Sequence, residues 1–245
     1  MVGKRRRLKR LLRDGRCLIV ALDHGLTAPQ PGIEDIDRLL LMIDGYADAV
    51  VLHKGIVKRS EVIEEFEGAL IIHLSGSTCL SPDPNDKRVV TSLESALRLG
   101  ADAVSVHVNL SSESEARQIE ELGRISDECD AYGLPLLAMV YPRGSASVSV
   151  ETVKHAARVA YELGADIAKV PYVEDFGEVV RYCRIPVVIA GGSKEREEEF
   201  YAKVRKAIAS GASGVAVGRN VFASENPRRV VEVLSGIVHG VEVVA

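Results

Sequence analysis

The chain has no tryptophan, three methionines and four cysteines in 245 residues, and aromatic side chains make up 4% of it. Cys17, Cys79, Cys129 and Cys183 are far apart and form no CxxC pair. That excludes a zinc ribbon and argues against a disulfide framework in a chain of this length. A reducing cytoplasm is the simplest setting. No apolar run reaches the ~20 residues of a membrane-spanning helix, and none after the first residues is long enough for a secretory signal, so no membrane partner is expected. HExxH and a strand-borne HxH are missing, as is a GxGxxG after the first apolar run. These absences weaken zinc-hydrolase and dinucleotide-binding readings.

Acidic and basic residues are nearly balanced, with a net charge of −4, so nothing global points to nucleic acid. The distribution is uneven. Eight of the 31 Lys and Arg fall within residues 1–16, where Asp14 is the only acid. Such a start could meet RNA, a targeting receptor or an acidic neighbouring subunit. No aromatic residue interleaves these charges to stack on bases, so nucleic acid is not expected. The simpler expectation is a basic helix with Leu8, Leu11 and Leu12 packed beneath the body of the protein.

What the chain does have is a beat. Short apolar, β-branched runs recur at 17–22, 48–53, 69–74, 101–107, 134–140, 165–170, 186–190 and 213–217. They read as near-continuous hydrophobic stretches, as parallel strands covered by helices do. Helical patterns separate them at 33–43, 56–65, 91–99, 112–131, 150–163, 173–182, 195–210 and 227–238. The junctions DGYADAV, RLGADAV, ELGADIA and ASGASGV repeat one theme, in three of the four a glycine stop followed at once by the next strand. Eight strand–helix units in one domain spanning residues 1–245 predict a (β/α)8 TIM barrel with a short basic N-terminal helix. An open doubly wound sheet is the alternative.

In a barrel, function sits where strands end. The first run closes on Asp23-His24-Gly25, the second on His53-Lys54-Gly55 and the third on His73-Leu74-Ser75-Gly76. The fourth carries His107 and Asn109, the fifth leads into Tyr141-Pro142-Arg143, and the sixth holds Lys169. The seventh and eighth end in Gly191-Gly192-Ser193 and Gly218-Arg219-Asn220. Four of the six histidines fall on the first four strands, which raises a metal site, but their spacing matches no metal motif and no metal is expected. Gly191, Gly192 and Gly218 let backbone N–H groups approach an anion, Ser193 can cap the following helix, and Arg219 adds a positive fork. Together they predict a phosphate cradle.

Lys169 is the residue out of place. Lysine is almost never fully buried without a partner or a task. Desolvation favours its neutral amine, which can attack a ketone to form a Schiff base. Tyr141, ending the neighbouring strand, and the Asp23 carboxylate are the candidate acid and base. A structural salt bridge with Asp23 or Asp166 is the competing reading. Lys54 is the rival lysine, placed nearer a loop.

ALDHG, LHKGIV, IIHLSGST, GADAVSVHVN, MVYPRG, GADIAKVPY, VVIAGG and GVAVGRNVF follow one another in the order seen in the archaeal-type class I aldolases. From about residue 8 to 240 the chain resembles this family of Schiff-base barrels. The resemblance implies Lys169 as the Schiff-base lysine, Tyr141 as proton donor and Asp23 as proton acceptor. It implies substrate and phosphate contacts from Asp23, His24, Gly25, Leu26 and Thr27, from Tyr141, Pro142 and Arg143, and from Gly191, Gly192, Gly218 and Arg219. It implies no cofactor and a large homo-oligomer. Met139 stands where the fructose-bisphosphate aldolases carry tryptophan, so the chain is most similar to a transaldolase branch. That branch implies two small-molecule substrates, a ketose phosphate donor and L-aspartate semialdehyde as acceptor. A fructose-bisphosphate aldolase and a non-enzymatic sugar-phosphate sensor remain alternatives. After Lys169 the segment Tyr172-Val173-Glu174-Asp175 departs from the family's Tyr-Thr-Gly-Asp-like pattern, and Ser193 replaces a common proline.

Overall fold

Each of the eight apolar runs forms a strand in the computed structural model, which describes residues 1–241. They are β1 (Cys17–Ala21), β2 (Ala49–Leu52), β3 (Ala69–His73), β4 (Ala103–Leu110), β5 (Leu136–Pro142), β6 (Ile167–Val170), β7 (Val187–Ala190) and β8 (Gly214–Val217). Every strand pairs in parallel with its neighbours in the sequence, and β1 pairs with β8, closing the barrel. The open-sheet alternative is therefore excluded. A left-handed glycine stands at all four junctions, one more than expected: Gly45, Gly100, Gly164 and Gly211 have positive φ.

Eight helices accompany the strands: α1 (Val2–Leu11), α2 (Ile36–Ile43), α3 (Leu93–Arg98), α4 (Glu115–Tyr132), α5 (Val150–Glu162), α6 (Phe176–Tyr182), α7 (Glu197–Ala209) and α8 (Pro227–His239). Single helical turns at His24–Thr27, Lys54–Val57 and Arg219–Phe222 follow β1, β2 and β8. Among the described residues no helix is long and apolar enough to cross a membrane.

The helix expected over 56–65 is absent, and the reason is local. Ser60 donates its hydroxyl hydrogen to Asp37 at 2.5 Å, and Asp37 also accepts the Glu61 N–H. Ser60 Oγ in turn accepts from the N–H groups of Val62 and Ile63. Side chains thus satisfy the donors that a helix would have used. Val62 and Ile63 still pack against a core that contains Phe66, four and three residues on, and that spacing imitates a helix.

Side chains alternate along each strand, so the barrel interior is a distinct set from the layer beneath the helices. Ile19, Ala49, Val51, Ile71, Leu137, Ile167, Val188 and Ala216 fill the inside as one buried cluster. Leu11, fully buried, belongs to that cluster, with Leu8 and Leu12 against it. The N-terminal helix therefore plugs the bottom of the barrel, as expected of its leucines.

Several of its charges are spent on its own chain. Asp48, Asp102 and Asp166 immediately precede β2, β4 and β6. Each carboxylate accepts a backbone N–H at the start of the preceding strand, from Leu18, Leu70 and Leu136, at 2.7, 3.0 and 2.8 Å. The same three aspartates receive α1 and its extension: Lys4 lies 2.8 Å from Asp166, Arg10 2.9 Å from Asp102, and Arg13 3.9 Å from Asp48. The repeated Asp of the junction motifs is thus both a strand tie and a counter-charge for the basic start.

Candidate active site

The inward-facing column of side chains turns from apolar to polar as it climbs. On β4 it runs Ala103, Ser105, His107, Asn109, and on β5 Leu137, Met139, Tyr141. On β6 it runs Ile167, Lys169. The polar tops surround a cavity of about 400 Å³ at the C-terminal mouth of the barrel. Asp23, His24, Thr27, Tyr141, Arg143, Lys169, Gly191, Gly192, Gly218 and Arg219 all line it.

Lys169 is 6% exposed, and its Nζ lies 3.9 Å from the sulfur of Met139, its register partner on β5. No carboxylate lies within ion-pair distance of it among the described residues, and Asp166 is engaged by Lys4 instead. Burial pushes the Lys169 amine below the usual lysine range, Asp23 partly opposes this, and Arg219 adds to it. Lys54 is not in the cavity; its amine bonds the Val90 carbonyl.

Asp23 ends β1 on the other side of the mouth. Burial alone would raise its pKa, but His73, His24, Lys169 and His53 together hold the carboxyl well below the usual carboxylate range. His73 Nε2 is 3.8 Å from one Asp23 oxygen, and His24 Nδ1 is 3.7 Å from the other. Asp23 Oδ1, His24 Nδ1 and Arg219 Nε are buried without a hydrogen-bond partner. Native folds seldom leave such atoms unpaired unless a ligand or water completes them.

The histidines hold this wall in place. His73 Nδ1 is 2.8 Å from Ser105 Oγ, and burial lowers its pKa to about 4, so the ring is neutral at pH 7. His107 Nε2 is 2.9 Å from Asn109 Oδ1, and its ring stacks on Tyr141 at 4.8 Å. Burial, and secondarily Asp23, raises the Tyr141 pKa, so the phenol keeps its proton. Arg143 also lies over that ring, 5.4 Å from its centroid.

The cradle after β7 and β8 is built by close approach. A Cβ on Gly218 would sit 2.4 Å from His24 Cε1 and 2.7 Å from the Ala21 carbonyl oxygen. Gly192 has φ of +71°, a left-handed conformation that favours glycine. Asn220, 2% exposed, stitches the two loops together: its amide donates to the carbonyls of Gly191 at 2.8 Å and Ser193 at 3.0 Å. Ser193 does not cap the next helix, because α7 begins only at Glu197, behind Arg196.

Gly25, Leu26 and Pro142 do not line the cavity. Leu26 lies against Gly76, Gly25 faces Ile33, and Pro142 is buried in register with Leu110. The wall also contains residues the sequence reading did not select. His53, His73, His107 and Asn109 were visible at strand ends and could have been chosen. Asn85 and Lys87 could not. They reach the cavity only because a two-stranded ribbon, Ser75–Gly76 with Arg88–Val89, folds the loop after β3 back over the mouth. Among the described residues no three His, Cys, Asp or Glu side chains are grouped as metal ligands.

A barrel with an unpaired, buried lysine at its catalytic mouth is the architecture of the Schiff-base aldolases, and this chain is an enzyme of that class. Its residues 17–224 match the DeoC/LacD family of aldolases, and the chain belongs to that family. It is 60% identical over 240 residues to 2-amino-3,7-dideoxy-D-threo-hept-6-ulosonate synthase 1 of Archaeoglobus fulgidus, covering 98% of this chain and 92% of that protein. It is 41% identical to 2-amino-4,5-dihydroxy-6-oxo-7-(phosphonooxy)heptanoate synthase of Streptomyces griseus, covering 91% and 85%. Among solved structures it superposes on an archaeal fructose-1,6-bisphosphate aldolase whose catalytic Lys is covalently bound to the carbinolamine intermediate of its substrate. The TM-score is 0.87 at 32% identity, covering 97% of this chain and 100% of that one.

Proposed function

We propose that the protein is a 2-amino-3,7-dideoxy-D-threo-hept-6-ulosonate synthase, a transaldolase that passes a fragment of 6-deoxy-5-ketofructose 1-phosphate to L-aspartate semialdehyde, on the route to 3-dehydroquinate and the aromatic amino acids. The observation that carries the reading is Lys169: buried, unpaired, and facing the ionised Asp23 across the mouth. The name of the Archaeoglobus fulgidus relative supports the product.

The chemistry follows from the residues. The neutral amine of Lys169 adds to the C5 ketone of the donor, and loss of water gives a protonated imine. The ionised Asp23 carboxylate takes the proton from the C3 hydroxyl, and the C3–C4 bond breaks, with the protonated Tyr141 phenol beside it as the proton donor. C3 leaves as an aldehyde on the phosphate-bearing half, while the electron pair of the broken bond is held on C4 as an enamine of Lys169. That carbon attacks the aldehyde of L-aspartate semialdehyde, and a proton is supplied to the new alkoxide. Water hydrolyses the imine and restores the amine.

One observation favours a second donor. The glycine cradle and Arg219 adjoin Lys169, so they receive whatever group is attached to the imine carbon. With the 6-deoxy donor that group is a methyl. With a fructose bisphosphate it is a phosphomethyl group, which the cradle suits better.

Trapping decides the lysine, and comparison of donors decides the substrate. Borohydride added with 6-deoxy-5-ketofructose 1-phosphate is expected to label Lys169, identified by peptide mass. Lys169→Met is expected to fold and to lose the label. A label on Lys54, or none, overturns the mechanism. Faster cleavage of fructose 1,6-bisphosphate than of the 6-deoxy donor would favour the second reading, and activity lost in EDTA would point to a metal instead. A homo-oligomer in the cytoplasm completes the proposal. Leu41 and Leu80, 67% and 90% exposed, are apolar surfaces that assembly would cover, and Cys17, Cys129 and Cys183 are buried free thiols.

A further inference from the structure

The cavity holds a second pair of cations that the mechanism above does not use. Lys87 and Arg143 both line it. Neither has a carboxylate within ion-pair distance among the described residues. Among the described residues Lys87 Nζ donates only to Ser77 Oγ, at 2.8 Å. Burial lowers its pKa, Asp23 opposes this, and Arg143 adds to it, so both charges belong to the field of the same cavity.

The segment that carries Lys87 is fixed to the barrel. The Asn85 carbonyl accepts from Asn109 and from Gln118, both at 2.9 Å. The Lys87 carbonyl accepts from Arg117 at 2.7 Å, and the Asp86 carboxylate is held between Arg88 and Arg117. Ser77, which orients the amine, donates to the Pro84 carbonyl at 2.6 Å while accepting from Lys87. So many long-range ties to one surface segment give it the rigidity expected of a recognition element.

Position on the barrel gives the pair its meaning. Arg143 follows β5 and Lys87 follows β3, whereas the glycine cradle and Arg219 follow β7 and β8. Lys169 on β6 stands between the two groups. A donor held as an imine at Lys169 therefore sends one end toward the cradle and the other toward Lys87 and Arg143. We infer that Lys87, with Arg143, forms an anion subsite that binds the α-carboxylate of the acceptor aldehyde and, before it, the phosphate of the departing fragment. This rests on the transaldolase reading. In the departing aldehyde the phosphate, and in L-aspartate semialdehyde the carboxylate, lie at nearly the same number of bonds from the reacting carbon. One subsite can therefore hold each in turn while the aldehyde carbon occupies one place. The cradle beside Lys169 cannot take this part, because it adjoins the fragment that stays.

The test compares acceptors that differ only at the far end: 4-oxobutanoate, with a carboxylate, and butanal, with a methyl group. In the wild-type enzyme kcat/KM is expected to favour 4-oxobutanoate by about tenfold or more, which is ~1.4 kcal/mol per tenfold. In Lys87→Met that ratio falls toward unity. Lys87→Arg keeps most of it, which also shows that the loop still folds. Equal use of the two acceptors by the wild-type enzyme overturns the inference, and so does an unchanged ratio in Lys87→Met. If the wild-type enzyme fails to trap a ketone on Lys169, the transaldolase reading fails first; normal trapping with an unchanged ratio removes the subsite alone.

Discussion

Lys169 and Met139 are register partners on adjacent strands, and the amine rests 3.9 Å from the thioether sulfur. A thioether accepts a hydrogen bond only weakly. The wall beside the amine therefore does little to stabilise its charge, and burial is left to favour the neutral form.

Replacing that sulfur by a carboxylate tests the arrangement. The amine in wild-type protein titrates below its usual 10.5, so the fraction able to attack a ketone rises with pH on a limb centred below that value. Met139→Glu places a negative charge beside the ammonium and favours it. The pH dependence of borohydride trapping with hydroxyacetone is expected to move to higher pH. A limb that stays in place would mean that the side chain at position 139 does not govern the amine.

Asp23 and Tyr141 are separable by the same readout. Asp23 raises the Lys169 pKa, so Asp23→Asn is expected to move the trapping limb to lower pH. Tyr141 is not among the groups that shift the lysine, so Tyr141→Phe leaves the limb where it is. Both substitutions remove a candidate acid or base and are expected to cut turnover by about 10²–10⁴-fold. Full turnover in either variant would remove that residue from the chemistry.

The cradle residues carry a prediction about donors. Arg219 lines the cavity beside the glycines, and its Nε is buried without a partner. If a phosphate lies next to the imine carbon, Arg219→Met raises KM for dihydroxyacetone phosphate by about tenfold or more, ~1.4 kcal/mol per tenfold. The phosphate-free hydroxyacetone is expected to be affected far less. Equal effects on both ketones would show that the arginine does not read phosphate.

How much of this could be read from the chain depends on what kind of contact sets each feature. The strands were legible because both faces of a parallel strand are apolar, and the glycine stops marked their approach. Lys169 was legible because it breaks an apolar run. The helix over 56–65 was misread because Val62 and Ile63 stand four and three residues before Phe66, a helical spacing, while the tie between Ser60 and Asp37 depends on an element of the chain more than twenty residues away. Lys87 was invisible for the same reason. In sequence it sits in a polar loop, and only the bonds from Asn109, Arg117 and Gln118 bring that loop over the mouth. Short-range patterns reveal elements and misplaced charges; side chains delivered by long-range ties need the fold.

The opposite end of the barrel makes a contrasting prediction, for stability rather than chemistry. Leu11 is fully buried among the lowest inward-facing side chains, and nothing else from α1 is buried as deeply. Removing most of that side chain leaves a cavity in a closed interior that has little room to collapse. Leu11→Ala is expected to cost about 2–5 kcal/mol, and in a domain of this size that lowers Tm by roughly 5–15 °C. Arg10 is more than half exposed beside Asp102, so Arg10→Ala costs at most about 1 kcal/mol. Below its melting transition the Leu11→Ala protein is expected to trap hydroxyacetone at the wild-type rate, since the plug and Lys169 lie at opposite ends of the barrel. Thermal unfolding with trapping at low temperature checks both halves. Comparable losses of stability from the leucine and the arginine would show that α1 is held by its charges rather than by its plug.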